Sequence, residues 1–534
     1  MTICLHASRL KKSGPDTFSW LAWTHIVSFC CTVLFIAGCQ KKVGPSHDGS
    51  DTMPPVADGR VLVDPDRPKA ALTPGRLGIN MNFLLDDETQ RKPKRPLHAA
   101  LKEMGVRSLR FPGGEDSDGY LWSVPPFSGS IPTLARTGTG EWPANDRRFT
   151  LPDGATLRDT LDFDEFIALA KQVGADPVVV VCYDSMYKKG SDGGNAPERQ
   201  QLLETAVQWV RYANITKGYG VKYWEIGNES YMESNNGAAT PAQYAADLRE
   251  FSAAMKAVDP SIQIGANGLG AEWWSIVLSI ASSHIDFLSV HVYPVWAWDS
   301  FDYYRRNEIN FTGPIIETIE AIHAYAPAAD RTRLRIAVTE TNVGDWSPIF
   351  AWANDNDLGH ALVAFDLFGQ LLSIPVIDMV HLWTTRWVAH RAPPDVYDAL
   401  SPDNDLHPVG RALAIWGQYG HGRLVAAAAN EPIRVYASYA PEGPGLAIFI
   451  LNKAATVQSV SVSTLQPADV KLLERRVFRG TGPSDHQPTW ERLPDLEWVE
   501  PLALELSPFS ITVLTETDLE RREHHAARTA RLKP

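Results

Sequence analysis

An α/β fold, a (β/α)8 TIM barrel with a C-terminal β-sandwich domain, is predicted by three observations. Eight apolar, β-rich runs alternate with amphipathic stretches between about Gly75 and Gly420. Two of those runs stop on a glutamate, and the C-terminal ends of strands are where such barrels keep their chemistry. After Gly420 the pattern changes to short alternating strands with turn residues between them.

The strand candidates, in order, are Arg76–Phe83, Val106–Phe111, Pro177–Tyr183, Val221–Ile226, Gln263–Ala266, Asp286–Tyr293, Leu334–Thr339 and Met379–Thr384. Val178-Val179-Val180-Val181 is the clearest. Its continuous apolar character suits a parallel sheet buried on both faces. Amphipathic stretches such as Phe163–Val173, Glu198–Thr216, Pro241–Val258, Pro314–Ala324 and Leu358–Leu372 sit between the strand candidates and read as helices, and His407–Gly420, after the eighth strand, supplies the eighth helix. In the sandwich, strands are expected at Ile433–Ser438, Leu446–Asn452, Ser459–Ser463, Lys471–Arg476 and Leu502–Thr515, with Gly59–Asp64 adding one from the N-terminal side.

The N-terminus reads as a targeting segment. Arg9, Lys11 and Lys12 precede an apolar run from Trp20 to Gly38, ending Leu34-Phe35-Ile36-Ala37-Gly38-Cys39. The final residues resemble a bacterial lipobox, which implies a lipid anchor on Cys39, membrane association and a cell-envelope location facing periplasm or exterior. A single membrane span is the rival reading. The expected organisation is therefore 1–38 signal, 39–58 flexible tether, 59–74 strand joining the sandwich, 75–420 barrel, 421–516 sandwich and 517–534 tail. Removal of the leader leaves Cys182 as the only thiol beyond Cys39.

Composition removes several classes. The formal net charge of −13 offers no basic surface for nucleic acid. No zinc-spaced His/Cys cluster, phosphate loop or dinucleotide loop occurs, so no cofactor is expected. The run Glu115-Asp116-Ser117-Asp118 lacks the spacing of a calcium loop, and no metal is expected either. Seventeen Trp and sixteen Tyr supply core packing and also the flat faces on which sugars stack.

The strand ends hold the candidate chemistry. They read Arg110-Phe111-Pro112-Gly113-Gly114, Trp224-Glu225-Ile226-Gly227-Asn228-Glu229, His291-Val292-Tyr293, Thr339-Glu340 and Trp383. Paired carboxylates on strands a few βα units apart suit a glycosidase acid and nucleophile. A retaining pair holds its carboxyl groups about 5–5.5 Å apart. Ordinary salt bridging is the alternative for Glu229, Glu340 and Arg110, as is a satisfied core histidine for His291. Glu225, four residues before Glu229, defaults to a barrel-layer or helix-facing ion pair.

This ordered set resembles the clan A glycoside hydrolases, and family 51, the α-L-arabinofuranosidase type, most of all, over about Gly59 to Thr515. The resemblance implies a carbohydrate substrate, with Glu229 as general acid/base and Glu340 as nucleophile. Asn228 would bind the substrate 2-hydroxyl. Arg110 and Tyr293 would hold Glu340 ionised, His291 would line the sugar site and Trp383 would floor it. Two positions depart from the family pattern, since Asn82 stands where a sugar-binding glutamate is usual and Glu115 where an asparagine is. Trp296 and Trp298 are further candidates for the substrate groove. An endoglycanase or β-xylosidase-like enzyme on the same scaffold, and a non-catalytic glycan-binding lipoprotein, are the rival readings.

Overall fold

The computed structural model describes residues 53–516, apart from 90, 121, 123–160, 188–196, 233–238, 296–297, 299, 308, 345–351, 353–354, 388–393, 442–444 and 467–470. The expected signal segment, Cys39, most of the tether, the tail and Trp296 lie outside the described residues.

Eight parallel strands close a barrel. They are β2 (Leu77–Asn80), β3 (Ser108–Phe111), β4 (Asp176–Val181), β5 (Tyr223–Ile226), β6 (Gln263–Asn267), β7 (Phe287–Val292), β8 (Arg335–Thr341) and β9 (Ile377–Leu382). The helices that follow each in turn are α1 (Leu97–Met104), α2 (Phe163–Val173), α3 (Arg199–Val210), α4 (Pro241–Val258), α5 (Ala271–Ala281), α6 (Gly313–Tyr325), α7 (Leu358–Leu372) and α8 (Pro408–Tyr419). Local chemistry sets their ends. Asp162 and Glu165 form a reciprocal capping box at the start of α2, and Gly174, at φ 75°, ends it in the left-handed conformation. Thr240 caps α4 ahead of Pro241.

Closure depends on Gly78 in β2, which pairs with Ser108 on one side and His381 on the other. Inside the barrel His381 Nε2 and Ser108 Oγ are 2.8 Å apart, and a methyl group on Gly78 would overlap both side chains.

The C-terminal strands form one nine-stranded sheet that curls around its own core, so both layers of the expected sandwich belong to a single ladder. Its strands are β1 (Arg60–Ala71), β10 (Arg423–Ala429), β11 (Ile433–Ala440), β12 (Gly445–Asn452), β13 (Gln458–Thr464), β14 (Leu472–Arg479), β15 (Thr489–Glu497), β16 (Leu502–Leu506) and β17 (Ser510–Glu516). The order is β15-β14-β17-β12-β11-β10-β1-β13-β16. Val61, Val63, Ile448, Val462, Leu504 and Leu514 fill the interior. The expected single strand Leu502–Thr515 is two strands, because Pro508 lacks an N–H and Phe509 takes φ 44° between them.

The sheet packs on the barrel through α7 and α8. Trp416 stacks on Phe365 at 4.9 Å and on Phe449 of β12 at 4.7 Å between ring centroids. Cys182 is free and buried, and burial pushes its thiol up.

Candidate active site

The C-terminal ends of the barrel strands converge on Arg110. Its guanidinium is fully buried, and all five N–H groups meet acceptors. Nε and Nη2 donate to Glu225 at 2.8 and 3.2 Å. Nη1 donates to Asn80 Oδ1 at 2.9 Å and to Glu340 Oε1 at 2.8 Å. The second Nη2 hydrogen reaches Asn228 Oδ1 at 2.8 Å. Strands β2, β3, β5 and β8 are thereby tied at one atom cluster, and Glu225 is the ion-pair residue its position suggested. Ser289 on β7 donates to Glu225 at 2.5 Å and also meets Thr339.

Glu340 accepts a second hydrogen bond, from Tyr293 Oη at 3.0 Å. Glu229 faces it, 2.8 Å from His291 Nδ1 and 3.3 Å from the Tyr231 hydroxyl. One oxygen of each glutamate and a ring nitrogen of His291 all lie within 4.8 Å of one another. Those atoms are close enough to hold a metal ion. The Arg110 guanidinium fixed against Glu340 opposes a cation there.

The turn that delivers Glu229 is held from outside. Glu229 takes φ 50°, after Gly227 at φ 74°. A side-chain-bearing residue in the left-handed region costs of order 1–3 kcal/mol and persists only where its surroundings over-determine it. Asp184 Oδ2 accepts from the Asn228 N–H at 3.1 Å and the Ser230 hydroxyl at 2.9 Å, and Asn267 Oδ1 accepts from the Ser230 N–H at 2.9 Å.

Charge in this trio is contested. Burial pushes Glu340 above the usual carboxylate range, with His291 and Arg110 pulling against it. Burial also pushes Glu229 up, but the His291 bond brings it net below. His291, pushed down by burial, is brought up by Glu340 and Glu229. The donors to Glu340 argue for its ionised form, since a guanidinium and a phenol both bind a carboxylate more strongly than a carboxylic acid. We therefore place the negative charge on Glu340. The proton of the trio then sits on the Glu229–His291 hydrogen bond.

Trp383 directly follows β9, donates its N–H to the carbonyl of Thr341 next to Glu340 at 3.0 Å, and is nearly buried, with its peptide to Thr384 cis. Asn342, two residues beyond Glu340, donates to the Trp383 carbonyl and to Val396 O at 3.1 Å. Gly114 lies against the indole, and Gly113, at φ 120°, packs on the Met81 carbonyl.

Other expected residues fare differently. Asn82 is engaged with backbone, donating to Arg386 O at 3.0 Å and accepting from Leu84 N–H at 3.1 Å, so it braces loops. Glu115 is half-buried at the head of a helical turn at 116–119. Trp298 does not line a groove; it is fully buried between Tyr303 and Trp352. Asn80, Ser289, Thr339, Asp184 and Asn267 were not singled out from the sequence, because nothing local marks them.

The family described as "Alpha-L-arabinofuranosidase 1 domain" matches residues 100–308, which includes Glu229 and stops short of Glu340. Intracellular exo-alpha-(1->5)-L-arabinofuranosidase 1 of Bacillus subtilis is 24% identical over 274 residues, 47% of this chain and 49% of that protein. Intracellular exo-alpha-(1->5)-L-arabinofuranosidase of Halalkalibacterium halodurans is 24% identical over 283 residues, 51% of this chain and 52% of its own. The chain thus spans about half the length of the curated relatives it matches. The GH51 alpha-L-arabinofuranosidase of Thermotoga petrophila shares the fold with a TM-score of 0.66 at 19% identity, over 86% of this chain and 100% of that one. The chain resembles family 51 of the clan A glycoside hydrolases. The expected cell-envelope location and its lipid anchor are corrected by these relatives, since those of B. subtilis and H. halodurans are both named intracellular.

Proposed function

We propose that the chain is a retaining glycoside hydrolase, α-L-arabinofuranosidase-like, that cleaves plant or algal polysaccharides or their oligosaccharides. The observation that carries this is the facing pair Glu229 and Glu340, with atoms inside 4.8 Å and unlike partners. That spacing suits double displacement and falls short of the roughly 6.5–9.5 Å at which inverting enzymes hold their carboxyl groups.

In the first step Glu340, oriented by Arg110 and Tyr293, attacks the anomeric carbon. The bond to the departing oxygen breaks as Glu229 delivers its proton there. In the second step Glu229, now a carboxylate, takes a proton from water. The water oxygen attacks the anomeric carbon and releases Glu340. Asn228, anchored by Arg110 through Oδ1, would bind the substrate 2-hydroxyl through its amide. Trp383 would floor the sugar, and His291 would line the site beside Glu229 and supply its proton.

Azide separates the two roles. Glu340→Ala should lose hydrolysis of every aryl-glycoside and regain turnover with azide, giving product of inverted configuration. Glu229→Ala should spare the first step for activated aryl-glycosides and yield a glycosyl azide of retained configuration. If azide rescues neither, or both variants behave alike on α-L-arabinofuranosides, β-D-xylosides and β-D-glucosides, the assignment fails.

A further inference from the structure

The β14–β15 hairpin loop, residues 480–488, reaches from the curled sheet onto the start of α7, the helix that follows the strand carrying Glu340. It closes on itself through Asp485, whose carboxylate accepts from the Thr481 and Gln487 backbone N–H groups, each at 2.8 Å. Thus shaped, it presents two carbonyls to the start of α7. The Leu358 N–H donates to Asp485 O at 2.8 Å and the Gly359 N–H to Pro483 O at 2.7 Å. The third N–H, of His360, is capped by Asp357 at 2.9 Å. The first N–H groups of a helix have no partner within it, and here two of them are satisfied by the other domain. Gly359 leaves no slack, because a Cβ there would press on Pro483 at 3.2 Å.

A second contact runs toward the sugar site. His486 Nδ1 lies 3.2 Å from the Asn356 carbonyl, which only accepts, so Nδ1 carries the proton. Asn356 is fully buried and ties three segments. Its side chain donates to Asp395 O at 2.9 Å and Asp398 O at 2.8 Å and accepts from Val409 N–H at 3.0 Å. Segment 394–398 in turn holds the stretch after β9. Thr384 N–H donates to Tyr397 O at 3.0 Å, Trp387 N–H meets the Asp398 carboxylate, and Asn342 bridges Val396 to Trp383.

We infer that the 480–488 loop is a positioning element for the glycosidase site, and that His486, acting through Asn356, fixes the 394–398 segment and so the Trp383 floor. The sheet domain then has a task in catalysis, performed by His486 through Asn356 and the 394–398 segment. This rests on the functional reading above.

The test uses the full chain with His486→Ala, His486→Gln and Asp485→Ala. Hydrogen exchange of 383–387 and 394–398 reads the brace directly, and kinetics on the aryl-glycoside best turned over by the parent read its effect. His486→Ala and Asp485→Ala should speed exchange in those segments, raise KM and lower kcat/KM about tenfold, while circular dichroism stays that of the parent. His486→Gln, which keeps a donor, should restore most of both. Unchanged exchange with kcat/KM within about twofold of the parent overturns the proposal, as does faster exchange with unaltered kinetics. Should the parent hydrolyse no glycoside, the functional reading fails, and exchange alone decides whether the loop braces these segments.

Discussion

Gly114 lies so close beneath the Trp383 indole that a methyl group on it would overlap the six-membered ring. The Pro-Gly-Gly run after β3 is therefore a seat for the tryptophan that follows β9. Gly114→Ala should force that ring out of its seat. The expected outcome is a rise in KM and a loss of about tenfold or more in kcat/KM, with the far-ultraviolet spectrum unchanged. Wild-type kinetics in this variant would show that Trp383 does not form the sugar floor.

Arg110 has no conservative substitute. Lysine keeps the charge but has three donors on one atom, and it cannot reach Asn80, Asn228, Glu225 and Glu340 together. Arg110→Met leaves Glu225 buried without a counter-charge, at a cost of about 3–5 kcal/mol. Denaturant melts should place Arg110→Met well below the parent. Arg110→Lys should sit between them, with activity reduced about a hundredfold.

His291 should set the alkaline limb of the pH profile. Burial pushes its pKa down, but Glu340 and Glu229 bring it above the ordinary histidine value. With the proton held on the Glu229–His291 bond, kcat/KM should fall only above about pH 6.5. In His291→Gln a carboxyl group alone holds the proton, so the alkaline limb should move to lower pH. An unmoved limb would assign the proton elsewhere.

Stability should fall on the acid side for a separate reason. Burial, with Arg110 nearby, lowers His381 to about 3, and burial lowers His407 to about 4. Both are neutral when folded, and the unfolded chain binds more protons below about pH 6.5. The unfolding free energy should therefore decline as pH drops from about 6.5 toward 3–4, by roughly 1.4 kcal/mol for each unit His381 is depressed. His381→Gln should flatten that slope.

Much of this was legible in the sequence, for identifiable reasons. The barrel strands announce themselves as apolar runs, and α2, α4 and α7 have the expected bounds because Asp162, Thr240 and Asp357 cap them. Helix α5 was missed because Ala271–Ala281 is apolar almost all round and gives no periodic contrast. Glu229 and Glu340 could be found because strand ends are marked places. Asn80, Asp184, Asn267 and Ser289 could not, since their work is done for residues on other strands. Trp298 was misjudged because nearness in sequence to a site does not fix where a side chain points.

Strand β1 lies inside the curled sheet, third from one edge, antiparallel to β10 with Val61 opposite Ala429 and parallel to β13 with Arg60 opposite Ser461. The barrel is thus an insertion between one strand of that sheet and the other eight. During synthesis β1 emerges early and has neither neighbour until the whole barrel has been made. Closing so long a loop makes this pairing late and slow, and until then two unsatisfied strand edges are open to wrong partners. A cut at residue 421 would free no autonomous domain; it would remove a sheet from around its own third-from-last strand.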